Sequence, residues 1–216
     1  MSTATLVIGN SGSGKTASLR NLNPADTLLI QPVKKPLPFK AAGWSQITDA
    51  NKTGNIYATD DSARIVAAMH KTKRPVIVVD DFQYILANEF MRRSEERGYD
   101  KFTDIGRHAW DVLKAASELP DMTRVYIMGH TQTDDFGKVS VKTIGKMLDE
   151  KIVVEGMFSI VLKTVVTNGQ YKFSTRNNGS DPVKSPIGLF DDEQIDNDLA
   201  AVDAAICSYF NVPLAA

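Results

Sequence analysis

Cysteine is nearly absent from this chain. The single residue, Cys207, excludes an internal disulfide. It fits a reducing compartment, with a small buried hydrophobe as its expected role. Histidine is scarce as well, and three scattered histidines with one cysteine do not make a zinc site. No apolar run approaches the roughly 20 residues that a membrane helix needs, so no membrane partner is expected. No basic leader precedes the first apolar run. That predicts no secretory signal and a cytoplasmic location. Internal repeats and low-complexity segments are also missing.

What is present is an ordinary globular composition. At 216 residues, 43% hydrophobic and 24% charged, the chain is long enough for one α/β domain over residues 1–216. Its net charge of −1 hides an asymmetry. Six acids and no bases lie from Phe190 onward, which leaves residues 1–189 with 25 bases against 20 acids, a net of +5. A mildly basic body with an acidic tail suits nucleic-acid binding restrained by that tail; a solvated helix face explains the same charges.

Strand and helix signals alternate. Residues 3–9 (TATLVIG) and 27–31 (TLLIQ) read as buried strands, and residues 15–22 (KTASLRNL) as a helix between them. VKKPLPFK is too rich in proline to be helical, and residues 44–48 suggest a short edge strand. Residues 60–72 read as a helix with Asp60 or Asp61 near its start. PVIVVDD follows, then a long helical region over 82–118 broken near Gly98, then a strand over 123–129 ending in His130, Thr131 and Gln132. The stretch DDFGKVSVK reads as a loop, and TIGKMLDEKI as a short helix. Two strands meet at Asn168-Gly169, a hairpin turn signal. An acidic helical segment, residues 190–216, closes the chain. The pattern predicts a three-layer α/β architecture: a mainly parallel sheet with a C-terminal β-hairpin and helix.

GNSGSGKT, residues 9–16, is a complete G-x-x-x-x-G-K-[ST] phosphate loop between an expected strand and helix. Gly9, Gly12 and Gly14 let the backbone turn tightly, and with Asn10, Ser11 and Ser13 they aim N–H groups at phosphate oxygens. A helix dipole adds to the attraction. Lys15 is expected to reach the β- and γ-phosphates of ATP, and Thr16 to place its hydroxyl on Mg²⁺. The second half of such a site is an apolar strand ending in an acid. VIVVDD supplies it, with Asp80 holding Mg²⁺ and Asp81 orienting the attacking water.

Two features favour transfer to water over transfer to a small molecule. An additional strand separates the loop from the VIVVDD strand, and the strand after VIVVDD ends in polar residues, with His130 as the expected γ-phosphate sensor. A compact arginine-rich lid, which a small-molecule kinase would need, is not evident; Arg92, Arg93 and Arg97 cluster on an expected exposed helix face. One part is missing: the strand over 27–31 ends in Gln31 and Pro32, with no acid until Asp49, so Asp81 would have to serve as the carboxylate.

Six stretches carry a resemblance: GNSGSGKT, KKPLPF, VIVVDD, MGHTQ, KTIGKMLDEKIVVEGMF, and the closing pattern from TRNNGSDPVKSPIGLF through IDNDLAAVDAAI. Together they span most of the chain. It resembles the small phage-encoded ATP-binding proteins with a RecA-like core, among them the Sak-four type of single-strand annealing proteins. The resemblance implies a RecA-like sheet and an ATPase that forms homo-oligomeric rings or filaments. It also implies action with single-stranded DNA in recombination or replication, in the host cell cytoplasm. From the residues themselves, Phe136, Lys138, Lys142 and Lys146 combine an aromatic with basic groups, as single-strand binding requires. A solvated loop accounts for them equally. Lys146 or Arg176 could instead reach a neighbour's γ-phosphate in trans. Two alternatives stay open: an ATP-dependent loader or remodelling factor for a replication protein, and a small-molecule kinase.

Overall fold

The computed structural model describes residues 1–144 and 152–213. In order, these form β1 (Thr3–Ile8), β2 (Thr27–Gln31), β3 (Ile56–Ala58), α1 (Ser62–Lys71), β4 (Val76–Val79), α2 (Gln83–Arg92) and α3 (Asp100–Glu118). Next come β5 (Arg124–Gly129), β6 (Thr131–Thr133), β7 (Val139–Val141), β8 (Ile160–Thr167), β9 (Gln170–Ser174), β10 (Gln194–Asp196) and α4 (Leu199–Phe210). Eight strands make one sheet in the order β10-β9-β8-β1-β5-β4-β2-β3, while β6 and β7 pair separately. The pairs from β8 through β3 are parallel, and β9 runs antiparallel to both of its neighbours. The protein is therefore α/β with a mostly parallel sheet. Among the described residues no helix is long and apolar enough to cross a membrane.

The apolar strands follow from burial on both faces. Successive side chains of a strand point to opposite sides. Leu6 and Ile8 of β1 join Ile77, Val79, Val125 and Ile127 against Ile65, Ile105, Ala109 and Val112 from α1 and α3. Val7 joins Val78, Tyr126 and Met128 on the other face, against Leu19, Leu199, Val202 and Ile206. Parallel sheets covered on both faces carry such continuous apolar runs. Each fully buried Leu, Ile or Val contributes about 1.5–3 kcal/mol. The helix α1 starts where expected, with the Asp61 carboxylate accepting from the Arg64 N–H at 3.0 Å. Asn168 and Gly169 both take positive φ, 52° and 75°, as a type I′ hairpin turn requires.

Four expectations are corrected. The helix after the glycine-rich loop is only a 3₁₀ segment, Thr16–Asn21. The Ser18 hydroxyl donates to the Lys15 carbonyl at 2.6 Å, and Pro24 follows soon after, so no long helix develops. Its dipole is correspondingly small. Residues 44–48 contribute only an isolated bridge, Gln46 to Ile56, and the edge strand is β3. The stretch after Gln132 is not a plain loop: β6 and β7 make a short hairpin. The helical region over 82–118 is broken as expected: α2 and α3 are divided between Arg92 and Asp100, around Gly98. Finally, the acidic segment is not one helix. Asp191, Asp192 and Glu193 precede β10, Asp196 ends it, and Asp198 caps α4 through the Ala200 N–H at 3.0 Å. Asp203 is the one acid within α4, and it is buried. The short helix expected over TIGKMLDEKI falls mostly outside the described residues.

Candidate functional site

Register brings three strand ends together. Ile8 of β1 lies opposite Gly129 of β5, and Val79 of β4 lies opposite Ile127. The segments leaving β1, β4 and β5 therefore emerge side by side at the carboxyl edge, where parallel α/β sheets bind ligands. Along the chain β2 separates the glycine-rich loop from the Asp80 strand, but in the sheet the strand standing between them is β5. His130 follows it directly.

The glycine-rich loop is held from several sides. A Cβ on Gly9 would meet the Thr164 Oγ1 at 1.8 Å, so β8 leaves room for glycine alone. Gly14 has φ +98°, and a Cβ there would come within 2.9 Å of the Tyr171 ring. The Ser13 hydroxyl donates to the Asn10 carbonyl at 2.6 Å and shares a 2.5 Å hydrogen bond with Thr164. Thr131 of β6 donates to the Asn10 side chain at 2.7 Å. Ser11 and Gly12 line the open side.

Lys15 curls into this loop, buried, donating to the carbonyls of Gly9 at 2.8 Å and Asn10 at 2.9 Å. Burial pulls its ammonium down to about 8, against the opposing pull of Asp81 and Asp80. The Thr16 hydroxyl lies 3.1 and 3.0 Å from the two Asp80 oxygens. Burial first, and then repulsion from Asp81, raise the Asp80 carboxyl above its ordinary range. Thr16 and Asp80 offer hard oxygen donors of the kind Mg²⁺ takes alongside phosphate oxygens and water. Among the described residues no cluster of three or more His, Cys, Asp or Glu could hold a metal by itself. A metal here fits only as a partner of a phosphate.

Asp81 turns the chain. Its φ of 56° lies in the left-handed region, which a non-glycine residue adopts at a cost. The carboxylate is engaged on both oxygens: Lys35 forms an ion pair with Oδ2, and His130 Nε2 lies 3.3 Å from Oδ1. Lys35 Nζ also stands 3.5 Å from Asp80 Oδ2. Burial works against the Lys35 charge, but the two carboxylates outweigh it and its pKa is raised. Burial, followed by Lys15, lowers the His130 pKa, so its imidazole is neutral at pH 7. Tyr84 meets the His130 ring edge-on at 6.3 Å between centroids.

Lys15, Thr16, Lys35, Asp81 and His130 line a cleft of about 480 Å³, with Val33, Pro36, Pro38, Tyr84 and Tyr171 forming its apolar walls. Sequence reasoning missed Lys35. Its partner Asp81 is 46 residues away, and the only signal was the proline-pinned KKPLPF run that carries it. Tyr171, placed by the β8–β9 hairpin, was missed too.

The remaining sequence candidates lie elsewhere. Phe136 is 96% exposed at the tip of the β6–β7 hairpin, Lys138 is exposed close to it in sequence, and Lys142 is exposed at the hairpin base. The Lys142 N–H donates to the His130 carbonyl at 2.7 Å, which ties the hairpin base to the cleft. Arg176 donates to the Asp191 carbonyl at 2.7 Å and lies 3.8 Å from Glu193, outside the cleft lining. Lys146 lies outside the described residues. Arg92 pairs with Asp60, and Arg93 with Glu89, Glu96 and Asp104, so neither is a lid over the cleft. No protein-family model and no curated protein sequence matches this chain.

Proposed function

We propose that this protein is a P-loop ATPase of the RecA-like kind, binding ATP with Mg²⁺ in the cleft at the ends of β1, β4 and β5. One observation carries the reading. The Thr16 hydroxyl meets the Asp80 carboxylate at 3.0–3.1 Å across 64 residues of sequence, beside a buried Lys15 in a glycine-rich loop. The position of β5 between β1 and β4 supports hydrolysis over transfer to a small acceptor, because it sets the neutral His130 beside the phosphate end of the cleft.

Each group has a separable task. The loop's N–H groups and Lys15 hold the phosphates, and Lys15 exchanges two backbone carbonyls for anionic oxygens. Thr16 and Asp80 would hold Mg²⁺, which when bound neutralises phosphate charge and polarises the terminal phosphoryl group. His130 occupies the sensor position, and its backbone carries the β6–β7 hairpin. Phe136, Lys138 and Lys142 at that hairpin suit stacking and phosphate contacts with single-stranded DNA. In this reading the protein acts in DNA recombination or replication, as a homo-oligomer, within the cytoplasm of a phage-infected cell; the resemblance supports that part.

The test is ATP turnover with Mg²⁺, with and without single-stranded DNA, in the wild type and in Asp80→Asn. We expect turnover that DNA stimulates, and a loss of about 10²-fold or more in the variant. Absence of nucleotide binding would overturn the reading. Turnover indifferent to DNA would redirect the hairpin to a protein partner, as in a loader.

A further inference from the structure

The strand that usually offers a second carboxylate to such a cleft ends here in Gln31, and what the following segment delivers is a cation. The geometry points to Lys35 as a cis-acting catalytic cation for the terminal phosphoryl group of the nucleotide, with Asp81 as the positioning residue that holds it in place. The inference rests on the ATPase reading above.

Three observations carry it. First, Lys35 is built into the wall of the same cleft as Gly12, Lys15 and Thr16. The following Pro36 restricts its backbone, and the Lys35 carbonyl accepts from the buried Gln31 amide at 3.4 Å. Its side chain is 36% exposed, so the ammonium is both anchored and accessible. Second, Asp81 has no free oxygen. Lys35 occupies one and His130 the other, and the left-handed backbone at Asp81 turns the carboxylate toward both. A carboxylate paired in this way is poorly suited to taking a proton from water, but well suited to fixing a cation and an imidazole. Third, the charges in the cleft balance: Lys15 and Lys35 against Asp80 and Asp81. A nucleoside triphosphate with one divalent ion adds about two negative charges at pH 7. Among the described residues that line the cleft, Lys35 is the accessible cation that can answer them without a neighbouring subunit. It fills in cis the place that Lys146 or Arg176 was expected to fill in trans.

In the reaction, the oxygen of a water molecule bonds to the γ-phosphorus. The bond from that phosphorus to the β–γ bridging oxygen breaks, and its electron pair leaves with ADP. Inorganic phosphate and one proton, released to solvent, complete the balance. Lys35 neither gives nor takes a proton. Its charge faces the three γ-oxygens, over which negative charge spreads in the transition state. His130 stays hydrogen-bonded to Asp81, and the pair keeps Lys35 oriented.

The experiment compares wild type, Lys35→Met, Lys35→Arg, Asp81→Asn and the double variant Lys35→Met/Asp81→Asn. Three quantities are read: equilibrium binding of fluorescent ATP and ADP analogues with Mg²⁺, single-turnover hydrolysis, and thermal unfolding without nucleotide. In Lys35→Met we expect ADP affinity within about threefold of wild type and preference for ATP over ADP reduced about tenfold. The hydrolysis rate should fall by about 10²–10³-fold, as when one preorganised donor is removed. Lys35→Arg should regain all but about tenfold of that rate, since the charge returns on a different fork. If Asp81 acts through Lys35, the double variant should be no slower than Lys35→Met alone.

Normal hydrolysis by Lys35→Met would overturn the catalytic assignment. Parallel losses of ADP affinity, ATP affinity and melting temperature would make Lys35 a structural strut and overturn it as well. Losses that multiply in the double variant would remove the positioning role and return Asp81 to the attacking water. A wild type that binds neither analogue would sink the ATPase reading, and this inference with it. That outcome is distinct from a wild type that binds and hydrolyses while Lys35→Met keeps pace.

Discussion

The two ends of β5 both bury charge, and they use it differently. At the N-terminal end Arg124, 2% exposed, donates to Asp203 of α4 from Nε at 3.0 Å and from Nη2 at 2.9 Å. The Tyr126 hydroxyl donates to the same carboxylate at 2.5 Å, and Arg124 Nη1 reaches the Met122 carbonyl at 2.9 Å. Every strong donor has an acceptor, and the cluster is sealed between strand and helix. At the C-terminal end, Lys15, Lys35, Asp81 and His130 line a cleft open to solvent, with buried Asp80 behind Thr16 and Lys35. Buried charge alone therefore does not mark a functional site. Buried charge beside room for a ligand does. The closed end spends its charges on docking α4, and the open end keeps them available.

The largest effect that separates the ends is expected from Asp203→Ala. It leaves Arg124 charged and buried without its carboxylate, which costs about 3–5 kcal/mol. Urea denaturation should show the midpoint falling with little change in slope. A variant as stable as wild type would mean that water or another acceptor reaches Arg124, and the closed end would not be closed.

At the open end the order reverses. Lys15→Met removes a buried, desolvated ammonium and replaces it with an apolar side chain of similar length. Stability should change little, because the cost of leaving the Gly9 and Asn10 carbonyls without a donor is offset by the removal of a desolvated charge. Nucleotide affinity should fall by about 10- to 100-fold, the worth of charge-assisted hydrogen bonds to phosphate. Thermal unfolding and binding of a fluorescent ATP analogue, measured on the same sample, decide the matter. A loss of stability matching that of Asp203→Ala would make Lys15 a structural group and erase the contrast.

The sequence shows this contrast only halfway. The strands β1, β2, β4, β5 and β8 are legible because layers on both faces force continuous apolar runs, and the β8–β9 turn is legible because Asn168-Gly169 is local chemistry. Lys15, Thr16 and Asp80 are legible for the same reason: each sits within a short motif. Lys35 is not, since its meaning depends on Asp81 arriving from another strand. The β6–β7 hairpin is hidden as well. Each of its strands is three residues long, β6 (TQT) wholly polar and β7 (VSV) too short to show a period, and pairing across the turn replaces periodicity as the cause. The acids after Phe190 mislead in the opposite direction. Their density suggests one helix, but Lys172 takes Asp196 and Arg124 takes Asp203, so their positions are set by partners distant in sequence.

The smallest effect tests whether the closed end is sealed to protons as well as to ligands. Tyr126 is fully buried; that burial, and then the neighbouring Asp203 charge, hold its phenol well above the ordinary value of 10. Below pH 10 the phenol keeps its proton in both folded and unfolded chains, so its contribution to stability is intact. Above pH 10 the unfolded chain releases that proton and the folded chain does not. Stability from this group is therefore lost as pH rises, by up to about 1.4 kcal/mol per unit until the folded value is reached. Tyr126→Phe should cost about 1.5 kcal/mol at pH 7, the loss of a hydrogen bond to a charged acceptor. It should also be free of the alkaline decline from this group. The deficit relative to wild type should shrink between pH 10 and pH 11 in urea denaturation, while the open cleft, remote from this hydroxyl, keeps its nucleotide affinity at pH 7. Curves that stay parallel through that range would mean the phenol ionises freely in the folded state, and that solvent enters the closed end of β5 after all.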